Sequence, residues 1–324
     1  MRYRRFGTTG VRVSALGLGT MLFGGATDED EAAAIVGACL DAGVNHFDTA
    51  DVYEQGRSEE VLGRLLAPVR DDVLIASKVG FPTGPGENDA GASPTHIRAC
   101  VQASLRRLGT DRLDVLYLHR FDDRADLDHT LRALDLLVAA GDVLYLGVSN
   151  FAAWQIADAL GRCALHGWAP VTVFQPMYNL VKRQVEVELL PMAQALGLAV
   201  VPYSPLGGGL LSGKYGPAPG SGGEGRLTTD ARYRVRYGDP VGWAAATELS
   251  AIATELGHHP ATLAVAWVAS HPAVTAPLVG GRTLEQLRPS LDAADLELDD
   301  DVRARLDALT PRPPLATDRT EEQS

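Results

Sequence analysis

A (β/α)8 barrel is the fold the sequence predicts, and three observations predict it. Short apolar runs with strand character recur eight times along the 324 residues. Segments with helical periodicity separate them, with most repeats about 25–40 residues long, the pattern of parallel strands joined by crossover helices. Finally, the polar residues that stand out each fall at the carboxyl end of a strand candidate, and in such a barrel that rim carries the chemistry.

The elements follow in order. Residues 3–6 and 11–13, around Gly7-Thr-Thr-Gly10, read as a β-hairpin. Strand candidates lie near 15–18, 44–48, 73–78, 114–119, 144–148, 171–175, 198–203 and 276–279. Helical periodicity covers 29–41, 58–67, 95–108, 127–140, 152–166, 185–196, 243–256 and 261–270, then 284–293 and 300–309. Eight units favour a closed barrel over an open doubly wound sheet. An open sheet usually has a dinucleotide fingerprint after its first strand. Gly17-Leu-Gly-Thr-Met-Leu-Phe-Gly24 holds only the first two glycines, and no capped helix starts there. Two long loops, 81–93 and 207–239, follow strands and would stand on the carboxyl rim; loops of such length are usually functional lids or disordered. Within the second, Arg232, Arg234 and Arg236 alternate with Tyr233, Val235 and Tyr237, which would place the arginines toward an anionic substrate or cofactor phosphate; the alternative is a short solvated strand or helix turn. The expected organisation is one domain over 1–310 and an unstructured tail over 311–324.

Composition narrows the class. Hydrophobic residues make up 46% and the net charge is −12, which argues against a basic nucleic-acid-binding face. No apolar run reaches the roughly 18 residues of a membrane span. The start, Met-Arg-Tyr-Arg-Arg-Phe-Gly, has no apolar stretch behind its charges, so no secretion signal is read. Cys39, Cys100 and Cys163 are isolated within helical patterns and are expected as reduced core residues. A cytoplasmic location is therefore expected. Only three of the 29 basic side chains are lysines: Lys78, Lys182 and Lys214.

The chemistry gathers around Asn45 to Glu60. Asp48 ends a buried strand, Tyr53 follows in a polar loop, and Ser58 with two glutamates reads as a helix start. A phenol of pKa near 10 is a poor acid at neutral pH unless a cation lowers that value. Lys78, at the end of the next strand, is the candidate cation, and His119 closes the strand after that. His119 has no neighbour at metal-ligand spacing, and no metal site is read. Asn150 reads both as a cap for the following helix and as a cofactor ligand. Gln175 ends an apolar strand, where an unpaired amide costs about 1–3 kcal/mol, so it requires a partner.

These residues resemble the aldo-keto reductase superfamily. The blocks are Asp48-Thr-Ala-Asp-Val-Tyr53, Ser77-Lys78, Leu118-His119-Arg-Phe-Asp, Gly147-Val-Ser-Asn-Phe151, Gln175-Pro-Met-Tyr178-Asn-Leu, Pro202-Tyr-Ser-Pro-Leu-Gly207 and Gly280-Gly-Arg282-Thr-Leu-Glu-Gln286. They run in family order over nearly the whole chain and look closest to bacterial members, the potassium-channel β-subunit-like branch and sugar ketoreductases. The resemblance implies a barrel whose hairpin closes the bottom, with two extra helices outside. It also implies NADPH, less often NADH, bound without a Rossmann domain. Tyr53 would be the general acid, Lys78 would lower its pKa, Asp48 would hold the lysine and His119 would orient the carbonyl. Ser149, Asn150 and Gln175 would bind the carboxamide, with Tyr203 stacked on the nicotinamide. Ser204, Pro205, Leu206, Gly207 and Leu210 would line the pyrophosphate. Gly280, Gly281, Arg282 and Gln286 would hold the 2′-phosphate end. Where the family often has arginine, glutamate and asparagine for that end, this chain has Gln286, Pro289 and Ser290.

The expected function is thus NAD(P)H-dependent reduction of an aldehyde or ketone, with a sugar or deoxysugar carbonyl among the candidates. The expected partner is a small-molecule carbonyl substrate, with neither nucleic acid nor membrane. The alternative is a cofactor-binding regulatory subunit with little turnover. A metal-dependent barrel hydrolase or aldolase has only Lys78, as a Schiff-base lysine, in its favour.

Overall fold

The computed structural model describes residues 1–218, 220–221 and 223–317. A hairpin of β1 (Tyr3–Arg5) and β2 (Arg12–Ser14) leads into β3 (Gly17–Gly19). Helix and strand then alternate: α1 (Glu29–Asp41), β4 (His46–Asp48), α2 (Arg57–Leu66), β5 (Leu74–Val79), α3 (Pro94–Leu108), β6 (Leu113–Leu118), α4 (Leu127–Ala140) and β7 (Val143–Ser149). Next come α5 (Ala153–His166), β8 (Val171–Gln175), α6 (Leu189–Leu196) and β9 (Ala199–Val200). The long loop contributes α7 (Arg226–Thr229) and α8 (Ala231–Tyr237), followed by α9 (Pro240–Glu255), α10 (Pro260–Ser270), β10 (Leu278–Val279), α11 (Leu284–Leu291) and α12 (Asp300–Asp307).

The eight strands β3 to β10 form one parallel sheet in the order β10-β3-β4-β5-β6-β7-β8-β9. Its two ends meet. Thr275 N donates to Val200 O at 2.8 Å and Leu278 N to Pro202 O at 2.8 Å, which closes the ring into a barrel. Both strands at this seam are only two residues long, shorter than the runs 198–203 and 276–279 suggest. Part of the seam is made by a side chain, Thr275 Oγ1 accepting from Val200 N at 3.0 Å, in place of a regular ladder.

Helix ends follow local chemistry. Asp28 caps α1 through Glu31 N, with three acidic residues in the first turn. Ser93 and Pro94 start α3, and Asp126 caps α4. Helix α2 departs from the sequence reading. It begins at Arg57 behind Gly56, and Ser58 is not its cap. The buried Ser58 hydroxyl instead donates to Thr20 O at 2.8 Å, joining α2 to the segment after β3. Cys39, Cys100 and Cys163 are free, buried thiols in α1, α3 and α5.

Inside the barrel, Ala76, Val115, Tyr117, Val173, Ala199, Val201, Ala276 and Leu278 make one apolar cluster with Phe6 and Val13 of the hairpin segment. The hairpin therefore seals the bottom. Gly7, at φ +57°, lets the hairpin turn press on the barrel: a Cβ there would lie 2.8 Å from Ala199 N. The alternating arginines of the long loop lie in helix α8, not in an extended strand, so they do not share one direction. Asp230 caps that helix and pairs with Arg232 at 3.0 Å, while Arg234 donates to Thr228 O at 2.8 Å. Of the expected tail, residues 311–317 carry neither helix nor strand, and 318–324 lie outside the described residues.

Tyr117 fills the barrel beneath Lys78 because residue 147 is glycine. A Cβ there would meet the Tyr117 ring at 2.5 Å and Val173 Cγ1 at 2.8 Å. Gly147→Ala is expected to destabilise the protein by about 1–3 kcal/mol through overpacking. Urea unfolding reads this as a lower midpoint with unchanged slope, and an unchanged midpoint would show that Tyr117 can move aside.

Candidate active site

Parallel register sets the site. Asp48 is the last residue of β4 and pairs with Ala76 of β5, and Lys78 of β5 pairs with Tyr117 of β6. His119 follows β6 and donates its backbone N–H to Val79 O at 2.9 Å. Ser149 ends β7 opposite Gln175 at the end of β8. Consecutive strand ends thus present their side chains on one rim.

Lys78 is fully buried at the centre. Its ammonium has three donors, and the structure supplies three acceptors: Asp48 Oδ1, in a short ion pair, Thr49 O at 2.8 Å and Tyr53 Oη at 3.5 Å. Asp48 Oδ2 accepts from Gln175 Nε2 at 2.8 Å, so Asp48 is bonded through both oxygens and Gln175 has the partner its burial required. A buried ion pair holds only when its remaining hydrogen-bonding capacity is met, and here it is. Burial acts most strongly and pushes the lysine pKa down, but the charge of Asp48, then Tyr53 and the hydrogen bonds to both, together outweigh it, and the net direction is up. Lys78 stays cationic.

Tyr53 opens a turn of 3-10 helix whose next two residues, Glu54 (φ 47°) and Gln55 (φ 59°), are left-handed without being glycine. Such backbone persists only where the surroundings hold it, at a cost on the order of 1 kcal/mol or more per residue. The turn directs the phenol back over Lys78, whose ammonium lies 5.0 Å from the ring centre. The sequence reading had the lysine lowering the phenol pKa. Lys78 does act in that direction, but burial acts more strongly in the other and Asp48 adds to it, so Tyr53 lies above its ordinary value. The phenol keeps its proton. His119 faces Tyr53 edge-on, with ring centres 5.9 Å apart. Burial, then the charges of Lys78 and Arg120, hold its pKa down at about 3, so the imidazole is neutral through the working pH range.

A second group spans β7, β8 and the segment after β9. Asn150, at φ 58°, does not cap α5, whose cap is Ala152. Its Nδ2 donates to His119 O at 2.9 Å and to Ser149 Oγ at 3.1 Å, while its Oδ1 accepts from Tyr203 Oη at 2.7 Å. Ser149 Oγ donates to Gln175 O at 2.8 Å. Ser204, also left-handed at φ 57°, turns the chain into Pro205, Leu206 and the 3-10 segment Gly207–Ser212, where Leu210 is buried. At the far edge, Gly280, Gly281 and Arg282 follow β10, and Arg282 N donates to Gln286 Oε1 at 3.2 Å. Ser290 is buried and Pro289 lies inside α11, where its carbonyl accepts from Thr262, so neither occupies an exposed position beside Arg282.

Two features escaped the sequence reading. Lys214 and Arg226, from the long loop, approach Arg282. Burial first, and then the charges of Arg282 and Arg226, pull the Lys214 pKa down. None of the three forms an ion pair among the described residues, in a protein of net charge −12. The only signal in the sequence was the rarity of lysine. The other feature is a buried acidic group behind Tyr53. Glu59 accepts from Ser77 Oγ at 2.6 Å and from Arg107 Nε at 2.6 Å. Asp51 beside it is buried without a well-formed hydrogen bond, and burial, then the charge of Glu59, raises it to about 7.

Among the described residues there is no group of three or more His, Cys, Asp or Glu side chains able to hold a metal. No described helix is long and apolar enough to cross a membrane.

The sequence model of the aldo/keto reductase family matches residues 15–311. The "Uncharacterized oxidoreductase YrpG" of Bacillus subtilis is 37% identical over 325 residues, covering 97% of each chain. A "Probable voltage-gated potassium channel subunit beta" of Arabidopsis thaliana is 36% identical over 91% of this chain and 92% of its own. "Aflatoxin B1 aldehyde reductase member 2" of Mus musculus is 41% identical over 61% of this chain and 53% of its own.

The raised Asp51 pKa has a pH consequence. Between about pH 4 and pH 7 the folded protein binds a proton there that the unfolded chain has released, so stability falls as pH rises through that window. Asp51→Asn removes this loss and is expected to gain on wild type by about 2–4 kcal/mol by pH 8, with little difference at pH 4. Denaturant unfolding at the two pH values measures it, and a pH-independent difference would contradict it.

Proposed function

Because the chain belongs to the aldo/keto reductase family, we propose that it reduces an aldehyde or ketone to an alcohol with NADPH, Tyr53 serving as the general acid. The observation that carries the reading is the Asp48–Lys78–Tyr53 arrangement, in which a buried cation with complete hydrogen bonding lies 3.5 Å from a protonated phenol at the barrel mouth. The cofactor supplies the hydride when bound. As negative charge grows on the carbonyl oxygen, Tyr53 donates its proton and Lys78 stabilises the phenolate left behind. Such general-acid transfer contributes about 10²–10⁴-fold. His119, being neutral, orients the oxygen by hydrogen bonding and leaves the acid role to the tyrosine.

Preference for NADPH is supported by Lys214, Arg226 and Arg282. Three cations without an ion pair among the described residues repel each other, and an anion such as a 2′-phosphate or pyrophosphate would relieve that repulsion. Lys214 is also seated tightly: a Cβ on Gly225 would meet its Nζ at 2.5 Å, and one on Gly209 at 3.1 Å. Ser149, Asn150 and Gln175 would present the carboxamide site, Tyr203 the stacking ring, and Ser204 to Leu210 the pyrophosphate wall. The regulatory-subunit alternative is not favoured, since binding alone leaves the Tyr53–Lys78 pairing without a use. A member of the family named for an aldehyde substrate supports the carbonyl class.

A panel of aldehydes and ketones with NADPH oxidation as readout tests the reading. Steady turnover is expected; cofactor binding without turnover of any panel member would restore the regulatory subunit. Tyr53→Phe is expected to lower kcat by about 10²–10⁴-fold, or roughly 3–5 kcal/mol of barrier, with cofactor binding retained. Wild-type turnover in that variant would remove Tyr53 from the mechanism. Arg282→Ala and Lys214→Ala are expected to weaken NADPH by about tenfold or more and NADH much less, because the lost charge-assisted bonds are to a phosphate NADH lacks. Equal losses in fluorescence titrations would assign these side chains to the shared part of the cofactor.

A further inference from the structure

Arg120 follows His119 at the end of β6 and is exposed at the barrel mouth. Its guanidinium carbon lies 4.9 Å from the centre of the Phe81 ring, and that ring stands edge-on to His119 with centres 4.5 Å apart. The three side chains thus form a row running out from the imidazole that faces Tyr53. The neighbouring acid is already engaged: Asp122 accepts from Ala92 N at 2.9 Å and pairs with Arg124 at 3.5 Å. Arg120 itself forms no ion pair or hydrogen bond among the described residues.

A guanidinium stacked on a ring uses its face and leaves its edge free. That edge carries N–H donors in the fork that matches a carboxylate. The fork is planar and pre-organised, so less side-chain entropy is lost per hydrogen bond when it is filled. Phe121, just beyond β6, and Trp154, in the first turn of α5, have ring centres 6.0 Å apart, with Trp154 65% exposed. The mouth beside His119 therefore combines aromatic surface with a cation that lies over the Phe81 ring and has no ion pair or hydrogen bond among the described residues.

We propose that Arg120 is a specificity-determining residue which binds a carboxylate on the substrate, so that the preferred substrates are carbonyl compounds with an apolar or aromatic spacer ending in a carboxylate. This rests on the reductase reading: the carbonyl oxygen lies toward Tyr53 and His119, the spacer passes Phe81, and the carboxylate meets the Arg120 fork.

The test is kcat/KM for 4-formylbenzoate against its methyl ester, in wild type, Arg120→Ala and Arg120→Lys. Wild type is expected to prefer the acid by about tenfold or more, the scale of one charge-assisted contact. Arg120→Ala should bring the ratio toward one, mainly through KM, since the contact is remote from the reacting atoms. Arg120→Lys should keep part of the preference, and added salt should erode it. A wild-type ratio near one, or a preference that survives Arg120→Ala, overturns the proposal and leaves the reductase reading intact. Turnover of neither compound, nor of any other carbonyl compound with NADPH, overturns the reductase reading and this inference with it. Glyceraldehyde 3-phosphate against glyceraldehyde separates the anions: an Arg120-dependent preference for the phosphate without one for the acid overturns the carboxylate assignment.

Discussion

The buried ion pair between Lys78 and Asp48 is the constraint from which the rest of the site follows. A lysine inside a barrel is tolerable only if its charge is balanced and every donor is used, and this determines what must surround it. Asp48 balances the charge. Thr49 O takes the second donor, which fixes the backbone just beyond β4, and Tyr53 takes the third. The free oxygen of Asp48 is taken by Gln175 from four strands away. One charge thereby ties together β4, β5 and β8, and the ladder between β7 and β8 carries the same order on to Ser149 and Asn150.

The electrostatics of the rim divide the work between two groups that both titrate in water at accessible pH. Burial moves the phenol up and the imidazole down, so both are neutral in the folded protein. In the proposed reaction, one would give up a proton next to a cation able to stabilise its loss, and the other would orient the carbonyl without changing charge. The left-handed turn after Tyr53 and the left-handed Asn150 show where the backbone accepts strain to hold this arrangement.

Much of this was legible in the sequence because it rests on periodicity and strand ends. Eight short apolar runs located the barrel strands, and Asp48, Lys78, His119 and Gln175 stand where each run stops. What was not legible depends on distances between parts far apart in the chain. Ser58 looks like a helix cap from its neighbours, yet its hydroxyl is claimed by Thr20. Asn150 looks like a cap too, but it belongs to His119 and Tyr203. The alternation around Arg234 left a strand and a helix turn equally open, and the segment is a helix capped by Asp230. Lys214 and Arg226 meet Arg282 only because the long loop folds back over the rim. The sign of the Tyr53 shift depends on burial, which a sequence does not state.

The sealed hairpin end has a consequence for how the site recovers between cycles. Below Lys78 the barrel is filled by apolar side chains, and the polar atoms among them, the Tyr117 hydroxyl and both His46 nitrogens, have no hydrogen-bond partner among the described residues. Among the described residues these groups form no hydrogen-bonded relay through the floor. Under the proposed reaction, a proton given up by Tyr53 would then be replaced from the mouth, along the route by which the alcohol would depart. Product exit and recharging of the acid would share one doorway, so a product that lingers would also keep the acid discharged.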